Sequence, residues 1–344
     1  MYRLAPLAII IAAALWGLDG IVLRPSLYTL PVPLVVLIES SIVAILLTPF
    51  FIKKFSLFKN LKLKDWFSFA AVAFFGGALG TMAITKALFY VNYANLSVVV
   101  LIQKLQPVFA ISLAAILLKE KLQKEFYLWA GIALIGAYLM TFGLHLPTLN
   151  SGDKTPIAVL FSLIAAISFG SSTVFSKRAL KNVGFETGTY LRFLISSFVM
   201  ILIVLFTGDY QSISEVSNIQ WIVFLIIAFT TGGPAIFLYY YGLKSVPASV
   251  SAICELSFPL TAVLLEYFVR GNMLDFVQWV GVILLLFGIL KVSTLSKWNY
   301  KYIFILINLD FSLNKFSLIN HYNFDQTRFF YQQIWISLTL DLFI

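Results

Sequence analysis

The stretch SVVVLIQKLQPVFAISLAAILL, residues 97–118, is long and apolar enough to cross a bilayer as a helix. Yet Gln103, Lys104, Gln106 and Pro107 lie near its middle. A lysine at the bilayer centre costs about 2.5–3.5 kcal/mol on insertion scales, so Lys104 must face protein or water. A proline there frees a backbone carbonyl that another group must satisfy. A second stretch, SVSAICELSFPLTAVLLEYFV at 249–269, repeats the pattern. Pro259 matches Pro107, and Glu255 falls where Gln103 falls. Two half-polar, proline-bearing spans in corresponding halves of one chain point to a transport site.

The rest of the chain has the composition such spans require. Of 344 residues, 60% are hydrophobic and 11% charged, and a soluble domain cannot bury that much apolar surface. The single cysteine, Cys254, lies inside a span, so no disulfide framework exists. His145 and His321 fall outside the spans, and no metal or cofactor site is expected. The net charge of +9 is placed mostly between spans, where membrane topology explains it without a nucleic-acid partner. The first apolar run, 4–22, has a signal-like Ala12-Ala13-Ala14. It continues through Trp16-Gly17, however, and has a copy in mid-chain, which a cleaved leader would lack.

Ten spans are predicted: 4–22, 33–52, 66–87, 96–118, 127–143, 156–175, 190–206, 219–240, 249–269 and 276–292. They fall into two halves, 1–145 and 146–295, followed by an atypical tail, 296–344. The halves are repeats: AAALWGLDGIVLRPSL (12–27) aligns without gaps to AAISFGSSTVFSKRAL (165–180). The same shift sets Glu39 against Arg192, and AFFGG (73–77) resembles AFTTGG (228–233). Five spans per half is an odd number, so the second half enters the membrane inverted. Charge agrees. Lys53, Lys54, Lys59, Lys62 and Lys64 follow the second span, whereas only Asp209 and Glu215 follow the seventh. Arg24 is the one positive residue after the first span, against Lys177, Arg178 and Lys181 after the sixth. The expected fold is therefore an all-α integral membrane protein of ten transmembrane helices in two inverted five-helix repeats. Both termini are expected in the cytoplasm, in a bacterial inner membrane. The tail is read as a segment with no part in transport.

At Trp16-Gly17 and at KALFYVNYANLSVVVLIQKLQPVFAISLAAILLKEKL (86–122) the sequence resembles the EamA-type branch of the drug/metabolite transporter superfamily. Pro107 and Glu120 stand at the spacing that branch carries. In the second half the same spacing from Pro259 reaches Asn272, not a glutamate; Glu266 lies earlier and is not equivalent. Family members often carry an arginine in span two, where this chain has Glu39. The resemblance covers residues 4–293 and implies carriage of small metabolites or drugs, often export of amino acids. Glu120, within the Lys119, Lys121 and Lys124 cluster, reads first as a weak surface ion cluster; the resemblance hints instead that it locks onto a neighbouring loop.

Six charges, Asp19, Glu39, Lys104, Arg192, Glu255 and Glu266, lie within predicted spans. Unpaired in hydrocarbon they would together cost about 15–20 kcal/mol, more than a fold's usual net stability. Internal pairing or snorkelling near span ends explains Asp19, Arg192 and Glu266, and one of these or a cavity role explains Glu39. Lys104 and Glu255, near the midplane, read as cavity residues. Gln103, Trp16, Asp19 and Tyr241 are further substrate-site candidates. Ser251, Glu255, Pro259 and Glu266 share one helical face. Gly76 and Gly77, and Gly232, Gly233 and Pro234, mark either close packing or a bend in spans three and eight. Tyr239, Tyr240 and Tyr241 form an interfacial belt or a stacking contact. The sharpest expectation is that Lys104 and Glu255 pair across the cavity between spans four and nine.

These residues predict a secondary carrier for a small-molecule substrate, embedded in lipid as a monomer or homodimer. Proton coupling would run through a buried glutamate. An intramembrane enzyme acting on a lipid or small polar substrate is the alternative. No His-Glu-x-x-His, nucleophile elbow or intraspan histidine supports it. A channel is third, since no repeated filter motif is present.

Overall fold

Backbone polar groups in a bilayer must be satisfied within the segment, and this chain meets the demand with helices. A computed structural model describes residues 4–51, 61–90, 99, 102–146, 155–270 and 273–295, apart from the side chains at 88, 89, 155, 266, 269 and 270. Asn272, Lys53, Lys54, Lys59, the 296–344 tail and the Glu266 side chain therefore lie outside the described residues. Nine helices among them are long and apolar enough to cross a membrane. In chain order these are α1 (Ala5–Leu27), α2 (Val32–Phe51), α3 (Leu63–Ala87), α5 (Lys124–Phe142), α6 (Pro156–Ala179), α7 (Phe185–Thr207), α8 (Asn218–Ser245), α9 (Ala248–Leu265) and α10 (Phe276–Leu295). The shorter apolar helix α4 (Gln106–Leu118) sits between α3 and α5. Large apolar side chains on their outer faces stay uncovered, Phe198 and Phe206 of α7 among them, as a lipid-facing surface requires. The protein is an all-α integral membrane protein.

The two-fold relation between the halves is written in the glycines. Helices cross closely only where a side chain is missing, and these crossings come in matched pairs. Gly17 of α1 lies against α9: a methyl there would stand 2.7 Å from Phe258 O, 2.9 Å from Thr261 Cβ and 3.3 Å from Ala262 N. Its repeat partner, Gly170 of α6, lies against α4, 3.0 Å from Gln106 O, 3.3 Å from Phe109 Cβ and 3.0 Å from Ala110 N. Gln106 stands to Phe258 as Phe109 stands to Thr261 and Ala110 to Ala262. The same exchange joins α5 to α10, where Gly136 meets Leu285 and Gly288 meets Ala133. The first helix of each repeat thus packs on the fourth helix of the other.

Residues Ala73–Leu79 of α3 and Ala228–Gly232 of α8 are π-helical, a local widening at matching positions. At the same places Gly77 packs on Ser196 of α7, and Gly233 packs on Val43 of α2. Pro234 takes the first turn of the helix that resumes at Gly233, where its missing N–H costs nothing.

The proline-bearing helices are broken rather than continuous. On the α4 side, Leu105 N donates to Ile102 O at 3.0 Å in a tight turn, and the helix restarts at Gln106 with Pro107 in its first turn. In α9, residues Ala248–Cys254 and Ser257–Arg270 are separate helical segments. Leu256 N donates to Ile253 O at 3.1 Å between them. Of the face expected for Ser251, Glu255, Pro259 and Glu266, Ser251 and Glu255 lie together, 3.1 Å apart, and the Glu266 side chain lies outside the described residues.

Glu120, at the end of α4, is not part of a loose surface cluster. Its carboxylate accepts from Ala248 N at 2.7 Å, Ser249 N at 3.1 Å and Ser249 Oγ at 2.6 Å, capping the N-terminus of α9. Asp65 makes a second tie between the halves. It caps α3 through Lys62 N at 3.0 Å and accepts from Asn182 Nδ2 at 2.8 Å.

Candidate functional site

The break in α9 turns Glu255 into the middle of the helix bundle. A carboxylate placed there must collect donors from several elements, and it does. Tyr239 OH of α8 donates to Oε1 at 2.8 Å, and Ser251 Oγ, one turn back on α9, donates at 3.1 Å. Gln106 Nε2 at the start of α4 donates to Oε2 at 3.2 Å. Thr173 Oγ1 of α6 lies 3.3 Å from both oxygens. Four helices therefore converge on one carboxyl.

Aromatic and cationic groups flank it. The Trp16 ring of α1 lies 5.2 Å from the Tyr239 ring at 58°, an inclined contact favoured by ring quadrupoles. The Arg192 guanidinium of α7 lies over the Tyr240 ring at 5.6 Å, and Tyr240 OH shares a 3.1 Å hydrogen bond with Ser176. Gly76 packs closely on Ser172 of α6: a methyl there would run into Ser172 Oγ, while Arg192 Nη2 would stand 4.0 Å away.

This arrangement corrects the expected Lys104–Glu255 pair. Among the described residues no ion pair joins them; Gln106 reaches Glu255 instead. The tight turn at residues 104 and 105 separates Lys104 from the face that begins at Gln106. Gln103 donates to Ser162 O of α6 at 3.4 Å. Tyr241 points to Phe185, with rings 5.3 Å apart at 77°, so Tyr239 takes the place expected of Tyr241. Trp16 packs against Tyr239.

Asp19 and Glu39 belong to a different cluster. Arg24, read from sequence as a loop residue, is still helical and turns back toward both. Its Nε and Nη2 donate to Asp19 Oδ2 at 2.9 and 2.6 Å, and its Nη2 donates to Glu39 Oε2 at 3.4 Å. The repeat partners Glu39 and Arg192 thus serve separate clusters. Thr173 was not singled out from sequence; Tyr239 was named only within the tyrosine run, and Arg24 only as a loop charge. The one available signal was the hydroxyl run Ser171-Ser172-Thr173, standing where the first repeat has Leu18-Asp19-Gly20.

The profile of the EamA-like transporter family matches residues 3–142 and 156–294. The chain belongs to the EamA-like transporter family. It is therefore a transporter, a carrier of metabolites, built as that family's ten-helix, two-repeat fold. Among its relatives, the riboflavin transporter ImpX of Fusobacterium nucleatum is 47% identical over 291 residues, 84% of this chain and 97% of that one. The uncharacterized transporter YwfM of Bacillus subtilis is 29% identical over 188 residues, 54% of this chain and 60% of its own. One protein of known crystal structure superposes with a TM-score of 0.67 at 14% identity, covering 86% of this chain and 98% of that one. That last likeness concerns the fold alone.

Proposed function

We propose that this carrier moves riboflavin or a closely similar flavin, bound between Trp16, Tyr239, Glu255 and Arg192. The observation that carries the reading is the 47% identity to a riboflavin transporter across nearly that protein's whole length. The site's chemistry supports it. An isoalloxazine ring is planar and aromatic, with carbonyls and a ring N–H along one edge and a chain of hydroxyls on the other side. Trp16 and Tyr239 offer aromatic faces. Glu255 accepts from the ring N–H or a chain hydroxyl, Arg192 donates to a carbonyl, and Gln106 and Thr173 adjust to either. Gln103 and Lys104 line the approach along the broken α4. We place both termini in the cytoplasm of a bacterial inner-membrane protein, as the lysine-rich 52–64 connection implies. The repeats are taken as 1–145 and 146–295, coupled to protons, in a monomer or homodimer.

Counterflow tests the reading. Proteoliposomes preloaded with unlabelled riboflavin should take up labelled riboflavin faster than empty ones, and the label should be recovered chemically unchanged. Chemical alteration of the label would favour the enzymatic alternative. Net flux in right-side-out against inverted vesicles separates import from the export that the sequence led us to expect. No acceleration by a folded, monodisperse protein would rule riboflavin out.

A further inference from the structure

A second buried charge cluster, apart from Glu255, has an arithmetic that does not close. Two carboxyls, Asp19 and Glu39, face one guanidinium, Arg24. With both carboxyls ionised the cluster carries a net charge of minus one inside a membrane span, an expensive state. The side chain of Asp19 is 7% exposed and that of Glu39 is 16% exposed. Asp19 Oδ1 is buried and accepts no hydrogen bond; Glu39 Oε1 is also without one, though it lies 3.4 Å from Arg24 Nη2. A buried carboxylate oxygen left bare costs free energy that a proton would remove.

We propose that Asp19, Arg24 and Glu39 form a proton-binding site in which the two carboxyls share one proton beside the guanidinium. Taking up that proton makes the cluster neutral, and releasing it to water restores one negative charge. Arg24 Nη2 lies 2.6 Å from Asp19 and 3.4 Å from Glu39. Among the described residues, no ion pair joins this cluster to Arg192 of α7 or Glu255 of α9. Glu266 of α9 is the acid of a packed helix whose side chain lies outside that set.

The position gives the proton a lever. Asp19 opens a π-helical turn, Asp19–Leu23, two residues beyond Gly17. Gly17 is the point where α1 touches α9 just past the Glu255 break. A change of charge at Asp19 therefore acts on the helix crossing that shapes the substrate site. Calling this proton the coupling proton rests on the carrier reading; the site itself rests on the cluster's geometry.

Infrared difference spectra of the full-length protein in liposomes, without substrate, test the site through the carbonyl stretch of a protonated carboxyl. Asp19→Asn or Glu39→Gln leaves a one-to-one pair with Arg24, so each variant should lose one protonated-carboxyl band. Either variant suffices if the other fails to fold. Arg24→Gln should gain a band, and Glu266→Gln should keep the wild-type one. Loss of only an ionised-carboxylate signal in the Asp19 and Glu39 variants would overturn the proposal. So would loss of the band in Glu266→Gln, or a sodium-dependent rise in melting temperature that Glu39→Gln removes. Because no flavin is present, failure here is separable from failure of the riboflavin reading.

Discussion

The bonds around Glu255 make a quantitative prediction about which neighbours are coupled to it. Consider Tyr239→Phe, which keeps the ring beside Trp16 and removes the hydroxyl that donates at 2.8 Å. A hydrogen bond to a charged group contributes about 1.5–3 kcal/mol, and one between neutral groups about 0.5–1.5 kcal/mol. Tyr239→Phe should thus cost about 2 kcal/mol in the wild type and about 1 kcal/mol when Glu255 is already Gln. The double-mutant cycle should return an interaction of about 1 kcal/mol. Lys104 and Glu255 form no ion pair, so Lys104→Met and Glu255→Gln should add to within about 0.5 kcal/mol. Unfolding free energies of the purified protein in one detergent measure both cycles, and riboflavin affinity by flavin fluorescence gives a second readout. A Lys104–Glu255 interaction above about 1 kcal/mol, or a Tyr239–Glu255 cycle that simply adds, would refute the reasoning.

Other substitutions probe the frame around the site. Glu120→Ala removes the acceptor of three short bonds at the start of α9 and should cost about 2 kcal/mol, the upper range for a lost helix cap; Glu120→Gln should recover part of this in thermal unfolding. Gly17→Ala should cost more than Gly170→Ala, because its methyl meets backbone at 2.7 Å against 3.0 Å. Both should fall within about 1–3 kcal/mol of overpacking, and equal costs would count against the crossing as described. Trp16→Leu keeps apolar bulk but not the aromatic face. It should weaken riboflavin binding by about 0.5–1.5 kcal/mol, roughly 2- to 12-fold in Kd, with little change in melting temperature.

What the sequence disclosed and what it hid follow from different physics. The ten-span count, the repeat and the paired prolines are periodic or compositional features, carried by the residues themselves. Gly17 and Gly170 were visible in the gapless alignment of 12–27 with 165–180, and the structure makes them matching crossings. Side-chain partners were less legible, because they depend on which way a helix is turned at a break. One tight turn separates Lys104 from Gln106 and hands Glu255 to the glutamine. One extended helix end keeps Arg24 in the membrane, where a charge count had assigned it to a loop. The Tyr239-Tyr240-Tyr241 run could not be resolved by inspection. Adjacent helical residues point about 100° apart, so one faces Glu255, one Ser176 and one Phe185.

The contrast between backbone and charge says how the halves divide the work. Their crossings are equivalent position for position, so the scaffold treats α1 with α9 and α6 with α4 alike. The chemistry placed on it is not equivalent. Glu255 sits at the break of α9, where the matched stretch before α4 has Gln103 and Lys104. Glu39 of α2 joins an acid-rich cluster, whereas its partner Arg192 of α7 lies over the Tyr240 ring. A carrier that alternates between two inverted arrangements needs a symmetric frame, so that both states are comparably stable. It needs asymmetric charge so that a ligand or a proton prefers one of them, since equal affinity for both states shifts nothing. In this chain the glycine crossings match between the repeats, while Asp19, Glu39, Arg192 and Glu255 have no like-charged partner at the matching positions, which is the pattern the proposed carrier reading requires.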